Sequence, residues 1–367
     1  MRQRIYLDNN ASTALDPRII ALLTEWMPKI QGNPSSVHSF GREARGWINQ
    51  AREQIARTLG VRASEILFTS SGTESAHLAM EGLLANHTSG HIITSEAEHA
   101  CVHGKAKQLQ KQGFEVTFLK PTAEGFIDPE DLAKAVQPDT RLIALLSVNN
   151  ETGVKNDVEA FAAVAEKHQI PLFVDAVAAL GKEPIAIPKG VLAMGFSGHK
   201  IHVPAGIGCL YVHPRAKIKG ARPGTENLLG ILALGKGFEL ISEELPAWIK
   251  KMEALRNRFE ETLCRALPGV VVNGQGARVA NVSNLQFGGM DGESLLIALD
   301  QEGIAASHGS ACSSGALEPS RVLLSMGLSL QAARSSVRFS FSHFTTEQEI
   351  DRACERMIAI VKKGQGS

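Results

Sequence analysis

Between residues 65 and 212 the chain repeats one unit: a short apolar run, a polar turn, then apolar residues at helical spacing. The apolar runs predict strands at 65–69, 91–94, 114–119, 141–148, 171–174 and 192–196, with helices at 70–84, 98–111, 129–136 and 157–168 between them. Residues 208–212 read as a further strand returning antiparallel. Parallel strands require crossovers, and helices supply them here. The expectation is an α/β fold whose mostly parallel sheet is covered on both faces.

Outside this region the pattern changes. Residues 5–8 read as a short strand, Asn9 to Thr13 as a polar turn, and a helix follows Pro17. Gly32-Asn33-Pro34-Ser35-Ser36 is a loop by composition, and a helix over 42–59 stops at Gly60. Residues 227–267 predict a long connecting helix broken at Pro246. Strands at 270–272, 279–287 and 337–341, with helices at 293–299 and from 346, suggest a smaller α+β domain. A chain of 367 residues exceeds what one core usually serves. The expected division is a large domain at 15–245, and a small domain of 1–14 and 246–367.

Lys+Arg and Asp+Glu balance at 38 each, so no bulk field draws nucleic acid or an anionic membrane. No apolar run reaches about 18 residues and no signal-peptide core opens the chain, so a soluble, cytoplasmic protein is expected. The five cysteines lack C-x-x-C spacing, which argues against a disulfide framework or a zinc site. Cys101, Cys209, Cys264 and Cys354 read as small buried hydrophobes.

The polar clusters fall at the expected carboxyl ends of the strands, where ligands gather in open α/β sheets. Phe196-Ser197-Gly198-His199-Lys200 places a lysine behind an apolar strand, where desolvation favours the neutral amine that condenses with an aldehyde. Upstream, Phe173-Val174-Asp175 ends a strand in a carboxylate able to pair with a pyridinium nitrogen. Lysine and aspartate in this order are the pairing of pyridoxal phosphate (PLP) enzymes. Ser70-Ser71-Gly72-Thr73 suits a phosphate at a helix N-terminus, although an ordinary N-cap uses the same residues. His99 fits a structural histidine or a ring-stacking proton carrier. Asn149-Asn150 fits a turn or an amide donor. Arg338, between Val337 and Phe339, requires an anion, either a substrate carboxylate or a structural partner. Cys312 lies in His308-Gly309-Ser310-Ala311-Cys312-Ser313, a loop of small residues that suits either packing or a thiol that travels to a substrate. His308 and His99 are candidates to activate that thiol.

Taken together, Tyr6-Leu7-Asp8, Gly32-Asn33-Pro34-Ser35, Thr73-Glu74-Ser75, Glu98-His99, Asn149-Asn150-Glu151, Asp175-Ala176, Ser197-Gly198-His199-Lys200, Arg222-Pro223-Gly224-Thr225, Gly309-Ser310-Ala311-Cys312-Ser313 and Arg338-Phe339-Ser340 resemble the cysteine desulfurases. These are class-V aminotransferase-like PLP enzymes, and the cysteine loop is similar to their NifS/IscS-like branch. The resemblance implies fold type I, with a seven-stranded large-domain sheet. It implies PLP on Lys200, which abstracts the α-proton, with Asp175 on the pyridinium and His99 stacked on the ring and assisting proton transfer. Gly72, Thr73, Ser197 and His199 would hold the phosphate, joined by Thr225 of the neighbouring subunit of a homodimer. Asn150 would serve cofactor and substrate, and Asn33 and Arg338 the substrate. Cys312 would take sulfur from L-cysteine as a persulfide, releasing alanine, for an acceptor protein of iron–sulfur assembly or tRNA thiolation. No resident metal is implied, although Cys312 could touch a transferred cluster.

The chain departs from the family pattern in places. Ala178 stands where the family carries a glutamine that donates to the cofactor's phenolic oxygen. The Gly-rich stretch expected before Arg222 is missing. Ser71, Ala76 and His77 replace Gly, Asn and Asn. The rival readings are a selenocysteine lyase or other β-eliminating PLP enzyme, and a non-catalytic PLP-binding paralogue acting as a scaffold.

Overall fold

The computed structural model describes residues 4–216, 218, 224–309 and 318–365. Its strands, in chain order, are β1 (Ile5–Tyr6), β2 (Ile66–Thr69), β3 (Gly90–Ser95), β4 (Phe114–Leu119), β5 (Thr140–Leu146), β6 (Leu172–Asp175), β7 (Val191–Ser197) and β8 (Gly208–Val212). β9 (Val270–Val272), β10 (Val282–Phe287), β11 (Ile304–Ala305) and β12 (Ser336–Ser340) follow. The helices are α1 (Pro17–Trp26), α2 (Ser39–Leu59), α3 (Gly72–Leu84), α4 (Ala100–Lys111), α5 (Pro129–Ala135), α6 (Val158–His168) and α7 (Leu228–Ala266). Beyond them lie α8 (Gly292–Gln301), α9 (Arg321–Ser325), α10 (Leu330–Arg334) and α11 (Glu347–Gln365).

The large sheet has seven strands in the order β2-β8-β7-β6-β5-β3-β4, and β8 runs antiparallel to both of its neighbours. The other pairings are parallel, so β3, β5, β6 and β7 all deliver their carboxyl ends to one edge. Both faces are buried, and successive residues alternate between them. Ile92, Leu142, Ala144, Phe173 and Ala193 pack with α3 and α4. Ile93, Ile143, Leu145, Val174 and Met194 face the opposite core, which also takes residues of α2, α6 and α7. This α/β architecture is the expected fold class.

A three-stranded antiparallel sheet, β12-β10-β9, forms the second unit. Its core gathers Phe259, Leu285, Phe287, Val337, Phe339, Phe341 and Met357, together with Ile5 and Leu7 from the start of the chain. β1 reaches it by parallel pairing with β11, and Asp8 bridges to Ser340.

The expected break at Pro246 does not occur: α7 runs through it. Leu245 and Trp248 on either side are buried in the first core, and Leu255 to Leu263 in the second, so packing holds both halves in line. Proline removes one N–H, but Pro246 and Ser242 four residues before it both face solvent, where water serves the freed carbonyl. The short elements β11, α9 and α10 carry too few residues for periodicity to reveal them. No helix of the described residues is long and apolar enough to cross a membrane.

Candidate active site

The strand ends of the large sheet and the near edge of the small one enclose a cleft of about 950 Å³, mouth included. Its lining brings together Gly72, Thr73, His99, Asn150, Asp175, Ser197, His199, Lys200 and Arg338, which the sequence spreads over more than half its length. Asn33 and Thr225 are not brought into the cleft of their own chain. Both are exposed, with Asn33 Nδ2 3.4 Å from Thr225 Oγ1. Cys312 lies outside the described residues, as does the stretch immediately before Gly224.

Asp175 ends β6 with its carboxylate buried, and its Oδ1 accepts the Val177 N–H at 3.0 Å. Burial pushes its pKa up, while His99, that N–H and Lys200 oppose the rise. On the neighbouring strand, β7 ends at Ser197, and a single 3₁₀ turn, Gly198–Lys200, presents the lysine. Lys200 Nζ donates to the carbonyls of Asn10 and Ala11, the latter at 3.0 Å. Thr13 fixes the same turn, its N–H and Oγ1 both donating to the His199 carbonyl. His199 is neutral at ordinary pH, since burial, then Lys200 and His99, lower it to about 4.

One feature of the lining calls for an occupant. Ser197 Oγ is buried and finds no partner among the described residues. Gly72, in the first turn of α3, lets that helix end pack closely on the turn after β6: a Cβ there would sit 2.6 Å from Val177 Cγ2. Ser71 caps this helix by accepting the Glu74 N–H, and Glu74 accepts the Ser70 N–H in return, leaving the N-terminal amide dipoles at the cleft. A phosphate suits that end, and Asp175 and Lys200 on adjacent strands suit a pyridinium nitrogen and an aldehyde.

His99 caps α4. Its Nδ1 accepts the Cys101 N–H at 3.2 Å, with Cys101 Sγ at 3.0 Å. A backbone N–H can only donate, so Nδ1 is the bare nitrogen and Nε2 carries the proton. Arg338 is 1% exposed; its Nη2 donates to Asp8 Oδ1 at 2.9 Å, its Nη1 to the Asn150 carbonyl at 3.2 Å, and its Nε has no partner among the described residues. The structural anion left open by the sequence is therefore Asp8. Asn149 is a turn-builder, its Oδ1 accepting from Glu151 and Thr152.

Sequence reasoning missed three residues. Cys101 is half-buried and lines the cleft, so its reading as a core residue is corrected, whereas Cys209 and Cys354 are buried. Cys264 is half-buried against the second core. Glu98 bonds to Ser95 Oγ and the Leu146 N–H through Oε1, with Oε2 unpartnered among the described residues; burial pushes it up to about 8. Lys182 is buried against the cleft and lowered to about 7 by burial and then by Lys200. Its place in the short stretch that follows Asp175 was the available signal.

Comparison with known proteins places the chain in a family. The family model for Aminotransferase class-V matches residues 5–221 and 216–353. "Cysteine desulfurase 2" of Trichormus variabilis is 42% identical, over 98% of this chain and 93% of its own. Among solved structures, a "NIFS-LIKE PROTEIN" superposes with a TM-score of 0.91 at 31% identity, covering 98% of this chain and all of that one. "SspA in complex with cysteine" does so with a TM-score of 0.82 at 31% identity, covering 93% and 100%. The chain belongs to the class-V aminotransferase family, among its cysteine desulfurases.

Proposed function

We propose that this chain converts L-cysteine to L-alanine, using PLP held in the cleft and passing the sulfur to Cys312 as a persulfide. The observation that carries the reading is the pairing of Asp175 and Lys200 on adjacent strand ends, beside the unpartnered Ser197 Oγ. The solved relative bound to cysteine supports the substrate.

When bound, PLP supplies an electron sink for the substrate's carbon skeleton. Lys200 would hold its aldehyde and Asp175 its ring nitrogen. Gly72, Thr73, Ser197 and His199 would hold the phosphate, with Thr225 of a second copy. Arg338 Nε and the Asn150 amide orient the substrate carboxylate. Lys200 Nζ moves the proton at the substrate's α-carbon, and the Nε2–H of His99 makes that ring a donor at the cleft. Cys312 Sγ bonds to the substrate sulfur as the carbon–sulfur bond breaks. That bond's electron pair stays with carbon, which takes up a proton and leaves as alanine.

A homodimer is supported by the exposure of Asn33, Thr225 and the apolar Met27, Val37 and Phe40 in the same region of sequence. The persulfide would serve an acceptor protein, an iron–sulfur scaffold or a tRNA-thiolation enzyme, in the cytoplasm. The test is product analysis with L-cysteine, PLP and a thiol reductant. Alanine and sulfide in equal amounts, lost in Cys312→Ala, are expected. Pyruvate formed independently of Cys312 would instead make the protein an eliminating lyase.

A further inference from the structure

Lys182 stands on the turn that leaves β6 immediately after Asp175. That turn is wound at helical spacing: the Leu180 N–H bonds the Ala176 carbonyl at 3.1 Å, and the Glu183 N–H bonds that of Ala179 at 3.1 Å. Gly181, at φ 72°, ends that winding, and the turn delivers both Ala178 and Lys182 to the lining of the cleft. Lys182 is 7% exposed, and its Nζ donates to the Lys200 carbonyl at 2.8 Å and the Leu180 carbonyl at 3.4 Å. An ammonium has three N–H donors, so one remains for the cleft.

The chemistry of the cofactor says what that donor meets. In PLP the phenolic oxygen is ortho to the aldehyde carbon, so it lies beside whichever lysine holds the aldehyde. Lys182, tied to the backbone of Lys200, is the buried cation at that corner, and Ala178 has no polar atom to offer. We propose that Lys182 is a cofactor-positioning residue that donates to the phenolic oxygen of PLP and holds it ionised. This inference rests on the reading that Lys200 carries PLP.

The surroundings fit that role. Lys200 faces Lys182 on the cleft side, where Asp175 also lines the cleft, and His202 and His343 lie behind it, with Asp16 and Arg18 beyond them. Burial foremost lowers the two histidines, to about 4 and about 3, so they are uncharged at neutral pH. An anionic oxygen in the cleft would offset the desolvation of a buried ammonium.

The experiment is a pH titration of the visible absorption band of the PLP-loaded protein. Losing a cation beside the phenolic oxygen favours the protonated chromophore, so Lys182→Met should raise the titration midpoint by about one pH unit or more. Adding Ala178→Gln to that variant supplies a neutral donor lining the same cleft and should recover at least half the shift. An unchanged midpoint in Lys182→Met overturns the proposal. So does a shift that Ala178→Gln leaves untouched, since Lys182 would then only brace the Lys200 turn. If Lys182→Met does not fold, Lys182→Gln carries the same prediction with a smaller rise, and an unchanged midpoint again overturns it. A wild-type protein without a band that Lys200→Ala removes overturns the cofactor reading, and this inference with it.

Discussion

The two sheets place their buried polar groups differently around the cleft. At the ends of β3, β5, β6 and β7, Ser197 Oγ and Glu98 Oε2 lack partners among the described residues, and Asp175 and Lys182 are shifted toward neutrality by burial. In and around the three-stranded sheet, many polar groups are spent on one another, while Asn281 Oδ1, Ser283 Oγ and Arg338 Nε find no partner among the described residues. Asn273 bonds Asn284 and Ser336, Asn284 bonds the Glu151 carbonyl, and Arg338 bonds Asp8. Unsatisfied buried groups cost roughly 1–3 kcal/mol each, a cost the chain can recover by binding a ligand of matching polarity. The large sheet thus carries its titratable groups to the cleft, and the small sheet is a wall in which Asp8 braces Arg338 and presents it to the same cleft.

The largest test removes the ligand's anchor. Lys200→Ala should abolish the visible band of the PLP-loaded protein and lower alanine formation by at least about 10³-fold, with little change in thermal midpoint without cofactor. Arg338→Ala attacks the other side. It leaves Asp8 and the Asn150 carbonyl without their cation, so unfolding by urea should show a loss of about 3 kcal/mol, and KM for cysteine should rise. A pure stability loss with KM unchanged would make Arg338 part of the wall alone.

Glu98 sharpens the contrast through pH. In the folded chain it stays protonated up to about 8, whereas its ordinary value is 4.5. Across that window the folded state holds the extra proton, so this group's contribution is full below 4.5 and is lost as pH rises through about 8. Glu98→Gln mimics the protonated form. It should match the wild type at pH 5 and exceed it at pH 8 by something on the order of 2 kcal/mol in thermal or urea unfolding. Equal behaviour at both pH values would mean that Glu98 is ionised when folded. The smallest effect is expected between the two regions, where Pro246→Ala should stabilise α7 by about 1 kcal/mol and leave activity unchanged.

The large sheet was legible because each strand alternates between two buried faces and each helix is capped, and both signals are local. Lys200, Asp175 and the Gly72 turn were legible because they close those strands. The roles of Asp8 and Lys182 were not, because they depend on contacts that periodicity does not carry. Asp8 lies 330 residues from Arg338, and Lys182 reaches the Lys200 carbonyl across neighbouring strands. Pro246 was misread for a related reason: local propensity marks a break, and the two cores packed along α7 override it. Asn33 and Thr225 carry motif resemblance but no cleft position in one chain, which is what a site completed by a second copy would look like.

The most direct measurement of the central claim is peptide mapping by mass spectrometry after borohydride reduction of the PLP-loaded protein. Reduction fixes the cofactor to the amine that holds it. The account predicts one pyridoxyl group per chain, on Lys200. A label on Lys182, or none on either lysine, would contradict it.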